Sequence, residues 1–246
     1  MALRDELEAQ GNWLFRWRSY LPLALILPLL VVLRDFHWPM HSSAVQEIWE
    51  NCCLVVSFSG LLVRVLTVAH APPKTSGRNT RQQVARTLNT TGMYSIVRHP
   101  LYLGNFLMWL GLAMFYSDWR LLMIFVLCFW LYYERIMFAE EEFLRNKFSQ
   151  NFVDWAARTP AFFPRLSNWQ PSCRPFSLRK VLGHEYHGLF GLVVAFVCLE
   201  AGEHLAVEHN LPFERFWVVF GTFGLGTYLV LLPMKKRTSL LSEKGR

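Results

Sequence analysis

Six stretches of this sequence are apolar enough to sit in a lipid bilayer, and no other feature narrows the possible folds as far. A hydrocarbon core of about 30 Å takes roughly 20 residues of helix to cross. Inside it every backbone polar group needs an internal partner, which favours helices. The stretches are Tyr20–Leu33, Ile48–Ala69, Pro100–Tyr116, Trp119–Phe138, Gly188–Cys198 extended at both ends, and Phe216–Pro233. The expected fold is all-α, a polytopic membrane helix bundle of about six transmembrane helices. Pro22 and Pro28 are expected to kink the first span, because proline removes a backbone donor and crowds the preceding turn. The third and fourth spans are separated only by Ser117-Asp118-Trp119, which predicts a tight antiparallel hairpin.

The composition agrees: 53% of residues are hydrophobic and 15% aromatic, yet there are 25 Lys+Arg that need a place outside the lipid. Residues 72–99 hold Lys74, Arg78, Arg81, Arg86 and Arg98 with no acidic residue, and residues 143–183 hold seven Lys/Arg against Asp154 alone. The positive-inside rule puts both segments in the cytoplasm. The link between the last two spans instead carries Glu200, Glu203, Glu208 and Glu214, while the tail has Lys235, Lys236 and Arg237. Six spans then leave both termini cytoplasmic. The chain divides into an interfacial amino-terminal segment (1–19, with Trp13 and Trp17 beside Arg16 and Arg18), a core (20–170) and a carboxyl-terminal extension (171–246) with two helices. The five cysteines form no CxxC pair or zinc spacing and read as packing residues.

The stretch "TGMYSIVRHPLYLGNFL" sets Arg98, His99 and Pro100 at the threshold of the third span. Proline suits the first helical position, where its missing donor would be unpaired anyway. The amides that follow and the positive end of the helix dipole favour an anion. Arg98 snorkelling to headgroups and His99 capping the helix is the plainer alternative for the tripeptide alone. Its surroundings add more: Tyr102 and Gly104 follow, Gly92 and Tyr94 precede, and the fourth span leaves the membrane through Glu140, Glu141 and Glu142. Three consecutive glutamates cannot all face one pocket, so at most two are expected to matter. Together these elements predict a cytoplasmic pocket for a cationic cofactor.

The pattern G-x-Y-x-x-x-R-H-P-x-Y-x-G, here Gly92, Tyr94, Arg98, His99, Pro100, Tyr102 and Gly104, resembles the isoprenylcysteine carboxyl methyltransferase and phospholipid methyltransferase superfamily. The later "EEEFLRNKFSQNFVDWAARTPAFFPRL" is similar to the same family's second motif, and the resemblance covers roughly residues 87–166. It implies a membrane methyltransferase with S-adenosylmethionine bound at the cytoplasmic face. Tyr94, His99, Pro100, Tyr102, Gly104, Glu140 and Glu141 are then the expected cofactor residues, with Arg98 holding the loop or an anionic group. The acceptor is implied to be a membrane lipid or lipidated substrate, reached sideways from the bilayer. The basic surface favours an anionic oxygen such as a lipid phosphate or carboxylate, and the RHP region looks most like a bacterial branch with members that methylate the phosphate of lipid A. An inner-membrane location follows from that branch.

Three positions depart from the family pattern. Ser149 stands where it usually has glycine, and Phe152 and Trp155 where it usually has tyrosines. Asp154 and Arg158, one turn apart, remain as polar candidates for catalysis near the acceptor, with an exposed ion pair as the plainer alternative. Pro160–Pro164 is expected to fold back over the cofactor. In the extension, "HEYHG" lacks the HExxH spacing that puts two zinc ligands on one helical face. His204 and His209 could add ligands with Glu200 and Glu203, but they lie toward the opposite membrane face from His184 and His187 and read as capping and interfacial residues; Gly221, Gly224 and Gly226 read as helix packing, so neither metal nor nucleic acid is expected. The alternatives are N-methylation of phosphatidylethanolamine, a membrane reductase using a nicotinamide cofactor, and a lipid-binding protein without catalysis.

Overall fold

The computed structural model describes residues 2–18, 20, 23–24, 26–34, 36, 43–72, 85–211 and 214–237. Among them the chain forms α1 (Leu3–Trp17), α2 (Ile26–Arg34), α3 (Ser43–His70), α4 (Met93–Ile96), α5 (Pro100–Met114), α6 (Trp119–Phe148), α7 (Gln150–Ala156), α8 (Leu178–Val207) and α9 (Arg215–Arg237), with a 3₁₀ turn at Leu166–Asn168. Helices α3 (from Ala44), α6, α8 and α9 are long and apolar enough to cross a membrane, and α5 is a shorter apolar helix. Their outward faces carry exposed residues such as Val55, Leu62, Leu127, Leu131, Phe223 and Leu229, as lipid contact requires. In the expected first span, helix is present over α2, and Pro28 lies in its first turn, where it breaks no internal bond. Pro22 and the cations Lys74, Arg78 and Arg81 lie outside the described residues.

Asp118 makes the hairpin between α5 and α6. Its carboxylate accepts from the amides of Arg120 (2.8 Å) and Leu121 (3.0 Å), capping α6, while Ser117 takes a positive φ of 54° to reverse the chain. Helix α3 lies against α5 along a seam of small residues. A Cβ added to Gly60 would meet the carbonyl of Gly104 at 2.5 Å, and one on Gly104 would meet that of Gly60 at 2.8 Å. Ser57 Oγ donates to Met108 O across the same seam (2.8 Å). Gly104 therefore serves helix packing. So does Gly224, whose added Cβ would meet Val193 Cγ1 at 2.6 Å.

The amino-terminal segment does more than lie at an interface. α1 runs along α6: Arg4 pairs with Glu142, Tyr132 OH donates to Leu14 O (3.2 Å), and Arg135 Nε donates to Gln10 Oε1 (2.8 Å). Trp13 and Trp17 keep an exposed face. α8 returns along α3 and ties the carboxyl-terminal extension to the core, with Phe115 packed edge-on against Phe196 and Trp217 at one end of the bundle.

Candidate active site

At the other end of α5 the chain makes a strap. Four backbone bonds fasten residues 160–170 to residues 92–99: Arg98 N donates to Pro160 O (2.9 Å), His99 N to Ala161 O (3.2 Å), Arg165 N to Ile96 O (2.9 Å), and Gly92 N to Gln170 O (2.9 Å). The strap thus folds back over the RHP segment. Phe162, buried at 5% exposure, anchors it among Phe106, Phe129 and Trp130 of α5 and α6, while Phe163 points outward at 74%. Gly92 at φ 62°, ψ −134° begins the turn into α4, a conformation L side chains rarely adopt. Ser149, at φ 46°, makes a similar turn between α6 and α7, which gives a physical reason for a glycine at that position.

His99 is the N-cap residue of α5, its carbonyl accepting from the amides of Tyr102 and Leu103 (both 3.1 Å), but its side chain makes no cap hydrogen bond. Its imidazole is turned to the end of α6 instead. Nε2 donates to Glu141 Oε1 (2.9 Å), and Nδ1 lies 3.6 Å from Glu140 Oε2. Arg98 Nε donates to the same Glu141 oxygen (2.9 Å), and its terminal nitrogen donates to Ala156 O (2.8 Å) and Thr159 O (3.0 Å). Arg98 thus joins α6 to the turn before the strap. Successive residues on a helix point about 100° apart, so Glu140 and Glu141 share His99 while Glu142 turns away to Arg4.

The Tyr102 ring stacks on His99 at 5.6 Å and meets Tyr133 at 5.0 Å. Tyr133 accepts from Asn105 Nδ2 (3.1 Å), and Asn105 in turn accepts from Arg64 (2.6 Å), which forms a two-pronged pair with Glu185 of α8 (2.8 and 2.9 Å). Sequence reasoning missed this relay. The only signal available was two charged residues inside apolar helices, which are costly unless paired or functional.

Burial opposes charge on His99, but the hydrogen bonds and charges of Glu140 and Glu141 outweigh it and raise the pKa from 6.5 to about 8. A raised folded-state pKa stabilises the fold fully below pH 6.5, and that contribution is lost as pH climbs through 8. The shift corresponds to about 2 kcal/mol. The melting temperature in detergent is accordingly expected to fall across this window, and to fall less for His99→Gln. Equal falls in both proteins would assign the loss to other groups.

The remaining expected site residues are placed as follows. Pro100 is buried at the first position of α5, and Tyr94 is half-buried, its carbonyl accepting from Trp155 Nε1 (3.1 Å) and its hydroxyl meeting Asn89. Phe152 and Trp155 are buried packing residues that hold α7 down. Asp154 is exposed on α7, and Arg158 is exposed in the turn that follows it. They form no side-chain pair with each other: Asp154 accepts from Gln150 (2.7 Å), and Arg158 Nε donates to Asp154 O (3.2 Å). Two glutamates, an arginine, a histidine with Tyr102 stacked on it, and the tilted ring of Tyr133 therefore converge, while the two acceptor candidates stand on the adjoining surface.

The phospholipid methyltransferase family model matches residues 75–151, the stretch that carries the RHP segment, Glu140 and Glu141. A cobalt-zinc-cadmium resistance protein of Cupriavidus metallidurans is 44% identical over 81 residues, 33% of this chain and 37% of that protein. A nickel-cobalt-cadmium resistance protein of Alcaligenes xylosoxydans xylosoxydans is 44% identical over 92 residues, 37% and 40% of the two chains. A protein-S-isoprenylcysteine O-methyltransferase of Schizosaccharomyces pombe is 30% identical over 79 residues, 32% and 34%. The matched region thus spans about two fifths or less of these relatives' lengths. No solved structure matches significantly. In fold and motif this is a helical membrane protein with a methyltransferase-type segment. Residues 75–151 are similar to the phospholipid methyltransferase family, and part of the chain to an isoprenylcysteine O-methyltransferase.

Proposed function

We propose that the chain is an integral membrane methyltransferase that uses S-adenosylmethionine and methylates a lipid-borne acceptor, most simply at an anionic oxygen. The observation that carries this reading is the convergence of Glu140, Glu141, His99, Arg98 and Tyr102 under the strap, inside the segment that matches the family. The donor set fits the cofactor. Glu140 and Glu141, 34% and 22% exposed, offer carboxylates to an ammonium and ribose hydroxyls, and the faces of Tyr102 and Tyr133 suit a sulfonium cation. Bound there, S-adenosylmethionine supplies an electrophilic methyl group. The chain's own work is positioning: Arg98 and the strap fix the floor of the site, Phe162 keeps water from the bilayer side, and Tyr102, stacked on His99, orients the imidazole.

The acceptor is the finer part of the proposal. The family description names a phospholipid and the fission-yeast relative's name an isoprenylcysteine oxygen, both of which reside in a membrane. Arg158, exposed just before the strap, is the candidate to hold a phosphate or carboxylate through its planar fork, with Asp154 beside it. The basic loops and both termini are assigned to the cytoplasm, in a bacterial inner membrane. Membranes carrying the protein, given methyl-labelled cofactor and then extracted, are expected to place label on lipid oxygen. Arg158→Ala is expected to lose most of the turnover while cofactor binding persists. Label on an amine headgroup replaces the oxygen acceptor with phosphatidylethanolamine, and no transfer or binding removes the enzyme reading.

A further inference from the structure

At the end of the bundle away from His99, α3 and α8 enclose a second polar cluster in apolar surroundings. Gln46 and Glu50 come from the first turns of α3, and Glu200, Glu203 and His204 from the last turns of α8. Their spacings, i and i+4 on α3 and i, i+3 and i+4 on α8, bring each set onto one helical face. Gln46, Glu50, Glu200 and Glu203 are 1%, 6%, 2% and 2% exposed. Residues expected at an interface are therefore inside the protein. Gln46 Nε2 donates to Glu203 Oε2 (2.7 Å) and, more weakly, to Phe115 O (3.4 Å). Glu50 sits within hydrogen-bonding reach of Glu203.

Two atoms in this cluster have no hydrogen-bond partner: Glu200 Oε2 and Gln46 Oε1. Both are acceptors, so what the cluster lacks is a donor or a cation, and leaving a buried acceptor unmet costs about 1–3 kcal/mol or more. Carboxylates this close repel unless a proton or a metal ion lies between them. Glu200, Glu203 and His204 already present one ligand atom each, all within 4.8 Å of one another. Two ligands at about 2.1 Å from one ion stand up to about 4 Å apart, so small side-chain rotations close the gap. His204 is also held as a ligand should be: Nδ1 faces Glu208 Oε2 at 3.2 Å, which leaves Nε2 directed at Glu200 (3.1 Å) and the cluster.

We propose that Glu200, Glu203 and His204, completed by Glu50, form a binding site for a divalent transition-metal ion, with Zn²⁺ the ion that this oxygen and imidazole set fits best. The site is separate from the methyltransferase-type centre. It lies beside Phe115 at the far end of α5 from His99, and it joins the amino-terminal turn of α3 to the carboxyl-terminal turn of α8.

The full-length protein, purified in detergent and stripped with a chelator, is titrated with Zn²⁺ by calorimetry and with Co²⁺ as an optical probe. One ion per chain is expected, with Co²⁺ giving the intense visible bands of a four-coordinate site containing nitrogen. Glu200→Gln and Glu203→Gln are expected to lose roughly tenfold to hundredfold in affinity, and Glu208→Gln, whose carboxylate faces His204 Nδ1, to lose less. His99→Gln is expected to bind the metal unchanged. If the cluster variants do not fold, the wild-type cobalt spectrum and the Glu208→Gln titration decide. Absent Zn²⁺ binding, a cobalt spectrum like that of the aqueous ion, or affinity unchanged in the cluster variants would overturn the proposal and leave carboxyls held together by protons.

Discussion

Glu141→Ala is expected to weaken S-adenosylmethionine binding by about a hundredfold or more, as loss of a charge-assisted contact near 3 kcal/mol implies. One oxygen of Glu141 lies 2.9 Å from both Arg98 Nε and His99 Nε2, so truncation leaves two cationic groups facing each other in a partly buried site. Arg98 keeps its bonds to Ala156 O and Thr159 O, and the strap keeps its backbone bonds. The fold therefore persists while the site loses a carboxylate. Glu141→Gln separates the two roles, because the amide oxygen still accepts from Arg98 and His99 but carries no charge for a cationic ligand. Calorimetry in detergent reads affinity, and limited trypsin cleavage at Arg158 and Arg165 reads the strap. Unchanged affinity in both variants would take Glu141 out of the cofactor site. Lost affinity with a newly cleavable strap in Glu141→Gln would show that its part is structural.

Glu185→Ala is expected to destabilise the protein by about 3–5 kcal/mol, the usual result of leaving one member of a buried ion pair alone. The Arg64 and Glu185 side chains are 20% and 6% exposed, and the guanidinium spans both carboxylate oxygens while also donating to Asn105. A double replacement by leucine is expected to recover most of the loss, since it removes both charges and not just one. Thermal unfolding of the single and double variants in one detergent measures this. The relay through Asn105, Tyr133 and Tyr102 adds a functional consequence: Glu185→Ala should also weaken cofactor binding, although Glu185 belongs to the carboxyl-terminal extension. If the double variant is as unstable as the single one, the helix seam and not the pair carries the stability.

Part of this architecture is legible in the sequence. The hairpin at Asp118 follows from chain length, because two residues between two apolar runs leave no other path. His99 and the glutamates of α6 came together through two motifs, while which glutamate turned away depended on α1, and no local pattern announces that a helix will dock there. Arg64 and Glu185 are 121 positions apart, so their pairing leaves no local periodicity to read. Glu200 and Glu203 look like interfacial residues by position, and become buried only because α3 supplies Gln46 and Glu50 opposite them. Phe152 and Trp155 occupy positions the resemblance associates with tyrosines, yet packing turns them inward.

The brevity of α5 has one more implication. Fifteen residues rise only about 22 Å, several ångströms short of a bilayer's hydrocarbon thickness, and the helix's far end is anchored among Phe115, Phe196 and Trp217. The membrane must thin locally, or His99 must sit below the level of the surrounding headgroups. Either way the glutamates at the end of α6 lie in a recess where mobile ions penetrate poorly. Their hold on a cation is then felt at short range and is little weakened by salt, unlike that of charges on an open surface. On the proposed reading, a lipid acceptor diffusing in the plane would arrive already at the depth of the site, and the bilayer itself would perform part of the alignment that a soluble enzyme must build from its own walls.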